Sequence, residues 1–323
     1  MRNHLSLIVL IVVAGGFAAL PSVPGVGKNT LDLLITLFII ASLASSWNIL
    51  AGMTGRINLG HVAFFGLGTL TTRELWLTWD LPLPVAFIAG GLAAALAAVV
   101  VGFPALRLRG TYFAVGTLAM AEALRLTVST NFPLVSRLPG PMLRSYNETF
   151  ELRYFVALGV LVVIVAFVYW LKRSKVGLGM MAIRNDEEAA RSIGINVFRH
   201  TMFAFIASAF FAGLTGSSFA YFGLSYYPSL TFGPVWTFDA MIVTYIGGIG
   251  TLAGPLIGAF FFVLVRDVLA ANLVNIHLVI FGIIFIIVVL AVPGGFVDVF
   301  NKLVQRVRPA APSDVERELV KNV

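Results

Sequence analysis

The chain has 323 residues, of which 59% are hydrophobic and 11% are charged, and its formal net charge is +7. Soluble domains carry about a quarter charged residues, so this composition excludes a water-soluble globular protein and predicts a polytopic membrane protein surrounded by lipid. The excess of Lys and Arg is typical of cytoplasmic loops in such proteins, and no nucleic-acid partner is expected.

Continuous apolar runs, rather than alternating ones, predict an all-α protein, because a helix needs about 20 apolar residues to cross a bilayer. The clear runs, in chain order, are residues 5–20, 31–51, 83–103, 112–128, 154–171, 201–222 and 273–292. Residues 1–30 are predicted to form an N-terminal anchor, although the same pattern also fits a cleaved signal peptide.

Two further apolar runs, at residues 57–72 and 238–265, are interrupted by glycines and a proline. The first is expected to be a short span. The second is expected to be a pair of half-length helices that meet near residues 247–255, and the alternative is one tilted helix packed through its glycines. With these runs, we expect about ten membrane segments in a single domain over residues 1–323.

Positive charge predicts the orientation of the chain. Six Lys or Arg residues lie within residues 172–200, and five follow residue 292. Both stretches are expected in the cytoplasm, which places both termini and the tail at 297–323 there. The run at 201–222 then leads outward and the run at 273–292 returns inward. The interrupted run at 238–265 must therefore enter and leave on the outer face.

The glycines of the two interrupted runs are candidates for a translocation pathway. Irregular backbone at membrane depth is tolerated only where protein or water covers it, and broken helices often border a transport path. The other interpretation is that these small residues permit close helix packing. The candidates are Gly60, Gly66, Gly68, Gly247, Gly248, Gly250, Gly254 and Pro255.

The polar stretch at residues 172–200 is predicted to hold two short helices between two spans. Residues 178–184 form the first, and Asn185 is expected to cap the second, with Glu188 three residues later. Gly194 is placed to end the second helix. Ala189, Ala190 and Ile193 would form a small apolar face for docking into a cytosolic partner. The alternative is an ordinary solvated loop.

Several motifs carry a resemblance to a known family. Glu188-Ala189-Ala190-x-x-x-Gly194 is similar to the EAA loop by which ABC importer permeases engage their ATPases, although no Leu-Pro follows Gly194. The whole set resembles the LivM-type permeases of branched-chain amino-acid importers. The other motifs are LAGxxGxxNLGH at 50–61, FFGxG at 64–68, AIR at 182–184, GIN at 194–196, LRLRGxYFA at 106–114, GGxGTxxGPxxGA at 247–259 and VPxG at 292–295.

This resemblance implies a permease subunit in a bacterial inner membrane. Its partners would be a second, LivH-type permease, two cytosolic ATP-binding subunits and a periplasmic amino-acid-binding protein. The substrate would be a branched-chain or other hydrophobic amino acid, with urea or short amides as further possibilities. The stretch at 172–200 would couple the permease to the ATPases through Arg184, Asn185, Asp186, Glu187, Glu188, Ala189, Ala190 and Gly194.

Two other classes of protein fit the sequence less well. An ion-coupled secondary transporter or channel usually carries charged residues at mid-membrane, and the middle of nearly every run here is uncharged. An intramembrane enzyme would need paired acids or a nucleophile motif, and the sequence has none. The phosphate loop G-x-x-x-x-G-K-[ST] is also absent, and there is no cysteine. We therefore expect no catalytic residue, no cofactor and no metal site.

Overall fold

The computed structural model describes residues 12–25, 27–132, 136–138, 140, 148–272, 277–291, 294–299 and 302. The first part of the predicted anchor (1–11) and most of the predicted tail (297–323) lie outside these residues. The helices are α1 (Val12–Ser22), α2 (Lys28–Thr54), α3 (His61–Arg73), α4 (Leu83–Ala105), α5 (Thr111–Asn131), α6 (Phe150–Arg173), α7 (Lys175–Asn185), α8 (Glu187–Ser192), α9 (Val197–Phe222), α10 (Pro228–Thr231), α11 (Val235–Gly247), α12 (Gly254–Asn272) and α13 (His277–Ala291).

Strand structure within the described residues is limited to one short antiparallel pair. β1 (Ser136–Arg137) pairs with β2 (Ser225–Tyr226). Four helices in the described part are long and apolar enough to cross a membrane, namely α2, α4, α6 and α9. The prediction of an all-α membrane protein is therefore confirmed.

The helix α2 lies at the centre of the bundle. It is apolar on every side, which is typical of a helix that is buried all round. The helices α6, α9, α11 and α12 pack against it, and Ile35, Phe38 and Trp47 are almost completely buried. This central position brings the last turns of α2 into contact with segments that are distant in the sequence.

The helix α3 begins later than the predicted run at 57–72. Gly55 ends α2 in the left-handed region, with φ +75°. The side chain of Asn58 then accepts a hydrogen bond from the Gly60 amide at 2.9 Å, and the helix starts at His61. Its 13 residues span only about 20 Å. A π-helical turn, Glu74–Thr78, follows α3.

The predicted helix break within residues 238–265 is confirmed, but the two helices are longer than expected. The first ends at Gly247 and the second begins at Gly254 and runs to Asn272. The prediction of half-length helices is wrong for α12, whose 19 residues span about 28 Å. The Arg266 guanidinium lies 3.8 Å from the Asp239 carboxylate of α11. This ion pair joins the two helices at the end away from the break.

Candidate coupling site

The two-helix segment, residues 175–194, connects α6 to α9. Ser174 caps α7 by accepting a hydrogen bond from the Gly177 amide at 3.0 Å. One side of α7 packs on the bundle, where Met180 and Ile183 are buried. Gly179 lies against the His200 ring, close enough that a Cβ would come within 2.6 Å of Nε2. The first of the two predicted helices is therefore docked closely onto the bundle.

The N-cap of the second short helix is Asp186, not the predicted Asn185. The helix α7 continues through Asn185, so the first extended residue is Asp186. Its Oδ1 accepts hydrogen bonds from the amides of Glu188 at 2.9 Å and Ala189 at 3.0 Å. A side-chain N-cap was predicted correctly, but its position was wrong by one residue, and Glu188 lies two residues after the cap and contributes its amide rather than the third-residue carboxylate of a capping box.

The predicted role of Gly194 as the residue that ends α8 is confirmed. Gly194 has φ +86°, and its amide donates to the Arg191 carbonyl at 3.1 Å. The Ile195 amide donates to the Ala190 carbonyl, also at 3.1 Å. These two bonds form a Schellman motif, which satisfies carbonyls that the helix itself leaves unpaired.

Only part of the predicted apolar face of α8 is buried in the bundle, and the rest is exposed. Ala190 is buried beside Ile183 and Val197, whereas Ala189 is exposed and Ile193 is 75% exposed. Glu188 also faces solvent. The surface that remains open to a partner therefore carries Glu188, Ala189 and Ile193.

Glu187 connects α8 to another part of the bundle. Its carboxylate lies 3.3 Å from the Arg56 guanidinium and 2.9 Å from that of Arg191. Arg56 also donates to the carbonyls of Leu106 and Leu108, both at 3.2 Å, in the connection between α4 and α5. This contact was not predicted from the sequence. Its only signal was a single arginine in the connection between two apolar runs.

Arg184, at the end of α7, reaches the central helix. Its Nη1 donates to the Gly52 carbonyl of α2 at 2.6 Å. The same nitrogen lies against Gly250, where an added Cβ would overlap it. Lys172, at the end of α6, donates from Nζ to the Gly250 carbonyl at 2.7 Å. Two cationic side chains, one just before the two-helix segment and one within it, therefore meet at the break between α11 and α12.

The α11–α12 turn (residues 248–253) is also held by α2. Asn48 Oδ1 accepts from the Gly250 amide at 2.8 Å, and Asn48 Nδ2 donates to the Thr251 carbonyl at 2.9 Å. Within the turn, Thr251 Oγ1 donates to the Gly248 carbonyl at 2.7 Å and accepts from the Gly254 amide at 3.0 Å. The turn thus lies against the C-terminal part of α2.

The predicted pathway residues fall into two separate groups. One group lies in or beside the α11–α12 turn, where Gly250 is next to Arg184, and consists of Gly247, Gly248, Gly250, Gly254 and Pro255. The other three are at helix contacts. An added Cβ at Gly68 would overlap the Gly213 carbonyl of α9, and one at Gly60 would overlap the Thr117 carbonyl of α5. At Gly66 it would lie 2.5 Å from the Phe232 ring.

Comparison with known proteins agrees with these motifs. A family model described as "Branched-chain amino acid transport system / permease component" matches residues 29–289. The chain is 28% identical over 300 residues to the high-affinity branched-chain amino acid transport system permease protein LivM of Escherichia coli K12. It is 29% identical over 300 residues to the protein of the same name from Salmonella typhimurium LT2.

Both alignments cover 83% of this chain and 69% of the relative. No solved structure matches. The match to the family model extends from the start of α2 to the end of α13 and includes both the two-helix segment and the α11–α12 turn. The chain therefore belongs to the family of permease components of branched-chain amino acid transport systems.

Proposed function

We propose that this permease forms the membrane pathway of an ATP-driven importer for branched-chain or other hydrophobic amino acids. The names of the two relatives support the substrate class. The proposed partners are a second, LivH-type permease, two cytosolic ATP-binding subunits and a periplasmic amino-acid-binding protein. The observation that carries the proposal is the two-helix segment, which is fastened to the bundle on one side and open on the other.

The two-helix segment is the proposed docking element for the ATP-binding subunits. Its residues divide into two roles. Arg184, Asp186, Glu187, Ala190 and Gly194 fix its shape and its attachment to the bundle, as their contacts above describe. Asn185, Glu188 and Ala189 lie on the solvent side and are available to a partner. A capped helix with small residues on its open face suits insertion into a groove.

The docking proposal predicts that Gly194→Val and Glu188→Lys each abolish amino-acid uptake without preventing membrane insertion. Valine at φ +86° is strained because its β-branched side chain clashes with the backbone in the left-handed region. Lysine at position 188 reverses the charge on the open face. The measurements are co-purification of the ATP-binding subunits with the tagged chain and uptake of radiolabelled leucine into cells.

Glu151→Lys is the matched control for the charge reversal. Glu151 is also exposed, but it lies at the end of α6 that is farther from the two-helix segment. It should support normal uptake and normal co-purification. If Gly194→Val and Glu188→Lys both retain the ATP-binding subunits and normal uptake, the docking assignment is wrong.

The proposed topology is about ten membrane segments in a bacterial inner membrane, with both termini in the cytoplasm. The contacts of the α11–α12 turn with Lys172 and Arg184 support it, because they place the turn on the side of the two-helix segment. Gly294, just after α13, lies against Gly248 of the turn, so α13 returns the chain to the same side. The helices α11 and α12 then enter from and return to the outer face. The turn would border the cytoplasmic mouth of the pathway.

This topology predicts that a cysteine at Asp267 reacts with a membrane-impermeant maleimide from the periplasm. The chain has no native cysteine, so single reporters are unambiguous. Asp267 is exposed near the end of α12 that lies away from the turn. A cysteine at the exposed Arg109 should react from the cytoplasm, and one at the buried Ser217 should react poorly. Labelling of position 267 from the cytoplasm alone would contradict the proposed topology.

A further inference from the structure

We infer that Arg184 is a positioning residue that transmits movement of the two-helix segment to the α11–α12 turn. This inference rests on the proposed function, since it identifies the part of the permease that responds when the ATP-binding subunits move. The contacts converge on Gly250 and Thr251 of the turn and on Gly52 of α2 beside them. They come from α2, α6 and α7, which are separate in the sequence.

Two side chains, those of Lys172 and Asn48, bond to Gly250 and Thr251, and a third, that of Arg184, packs against Gly250. Lys172 donates to the Gly250 carbonyl at 2.7 Å. The Asn48 amide group pairs with the Gly250 amide at 2.8 Å and the Thr251 carbonyl at 2.9 Å. Arg184 donates to the Gly52 carbonyl at 2.6 Å and lies against Gly250. Hydrogen bonds between such groups weaken steeply once the donor and acceptor move out of line. A shift of α7 therefore either breaks the bond from Arg184 to Gly52 or presses the guanidinium against Gly250 and moves the turn.

The contact between α2 and the turn has almost no free space. An added Cβ at Gly250 would lie 2.8 Å from the Gly52 carbonyl oxygen, and one at Gly52 would lie 2.9 Å from the Gly250 Cα. Gly250 also has φ +78°. Two glycine backbones thus lie in close contact, and Arg184 Nη1 lies where a Cβ of residue 250 would be. Packed interfaces of this kind shift between discrete arrangements rather than deforming gradually.

Both ends of this connection are stiff. On the side of the two-helix segment, Met180 and Ile183 anchor α7, and the Asp186 cap begins α8 immediately after α7 ends. On the other side, the Thr251 hydroxyl bonds to both Gly248 and Gly254, so that the turn is tied to the first residue of α12. A displacement of α7 should therefore reach α12 as a movement of the whole turn.

The test uses the complex assembled from the chain, its partner permease and the two ATP-binding subunits. The reporter is Leu252→Cys, a half-buried position in the turn. Its rate of reaction with a maleimide is measured without nucleotide and after trapping with ATP and vanadate. We expect the two rates to differ by about fivefold or more, as for a typical coupling between sites. The ratio should fall to about one when Arg184→Ala is added.

Arg109→Ala is the matched control, because it removes an exposed arginine from the connection between α4 and α5 without touching the turn. It should keep the full difference between the two rates. Arg184→Lys retains a donor and should restore part of the difference. In the Arg184→Ala complex, uptake per ATP hydrolysed should fall by about tenfold.

Persistence of the nucleotide response in Arg184→Ala would overturn the inference, as would a parent complex whose reporter reacts equally in both states. If Arg184→Ala changes the reaction rate of the reporter by the same factor with and without nucleotide, the role of Arg184 is purely structural. That result would also overturn the inference. Loss of the ATP-binding subunits from Arg184→Ala alone would mean that Arg184 holds them directly, which contradicts transmission but supports docking. Failure of the parent chain to bind them would contradict both the proposed function and the inference.

Discussion

Replacement of Gly68 by valine is expected to lower the midpoint of thermal unfolding of the detergent-solubilised chain by about 5–10 °C. Gly68 lies on α3 where it crosses α9, and an added Cβ would overlap the backbone carbonyl of Gly213. Neither partner is a flexible side chain, so the two helices would have to separate. The unfolding can be followed by the fluorescence of the five tryptophans.

The matched control for this substitution is Gly159→Val in α6, because an added Cβ there meets nothing within 4 Å. It carries the same change in helix propensity and should lower the midpoint much less. Equal effects of the two substitutions would contradict the packing role of Gly68. A normal midpoint for Gly68→Val combined with altered uptake would instead support the interpretation of Gly68 as a pathway residue.

Replacement of Asn48 by alanine is expected to destabilise the chain by about 2–4 kcal/mol. The substitution leaves the Gly250 amide and the Thr251 carbonyl without the side chain that pairs with both. Asn48 itself is only 4% exposed, so solvent has little access to replace it. The measurement is again the unfolding midpoint, together with the rate at which a protease cleaves the α11–α12 turn.

Asn131→Ala serves as the control for Asn48→Ala. The Asn131 amide bonds to the Thr127 carbonyl of its own helix, in an exposed position, so that its loss should cost little. If both alanine variants unfold at the same temperature and resist cleavage equally, the two hydrogen bonds of Asn48 do not stabilise the turn.

The positions of the long helices could be predicted because apolar runs alone determine them. The ends could not be predicted as well, because polar residues that interrupt an apolar run can still lie within a helix. Arg266 lies within α12, where it pairs with Asp239 on the neighbouring helix. Similarly, the N-cap of α8 is Asp186 rather than the predicted Asn185, because α7 extends one residue further than predicted.

The candidate site was predicted in part. The cap, the terminal glycine and the helix break each follow from a local pattern of residue types. The contacts between them do not, because Arg56 and Glu187 are 131 residues apart and Asn48 and Thr251 are 203 residues apart. The sequence alone also does not show whether a glycine borders the translocation pathway or allows two helices to cross closely. In the structure Gly68 lies against the Gly213 carbonyl at the crossing of α3 and α9.

The pairing of Asn48 with the α11–α12 turn also has a consequence for biosynthesis. Asn48 leaves the ribosome 203 residues before its partner Thr251. At a synthesis rate of about 5–20 residues per second, roughly 10–40 s pass before the segment that pairs with the buried Asn48 amide has been made. During that interval the nascent chain carries an unpaired polar group near the end of α2. Nascent chains that stop before Gly250 should therefore be preferred substrates for membrane quality control.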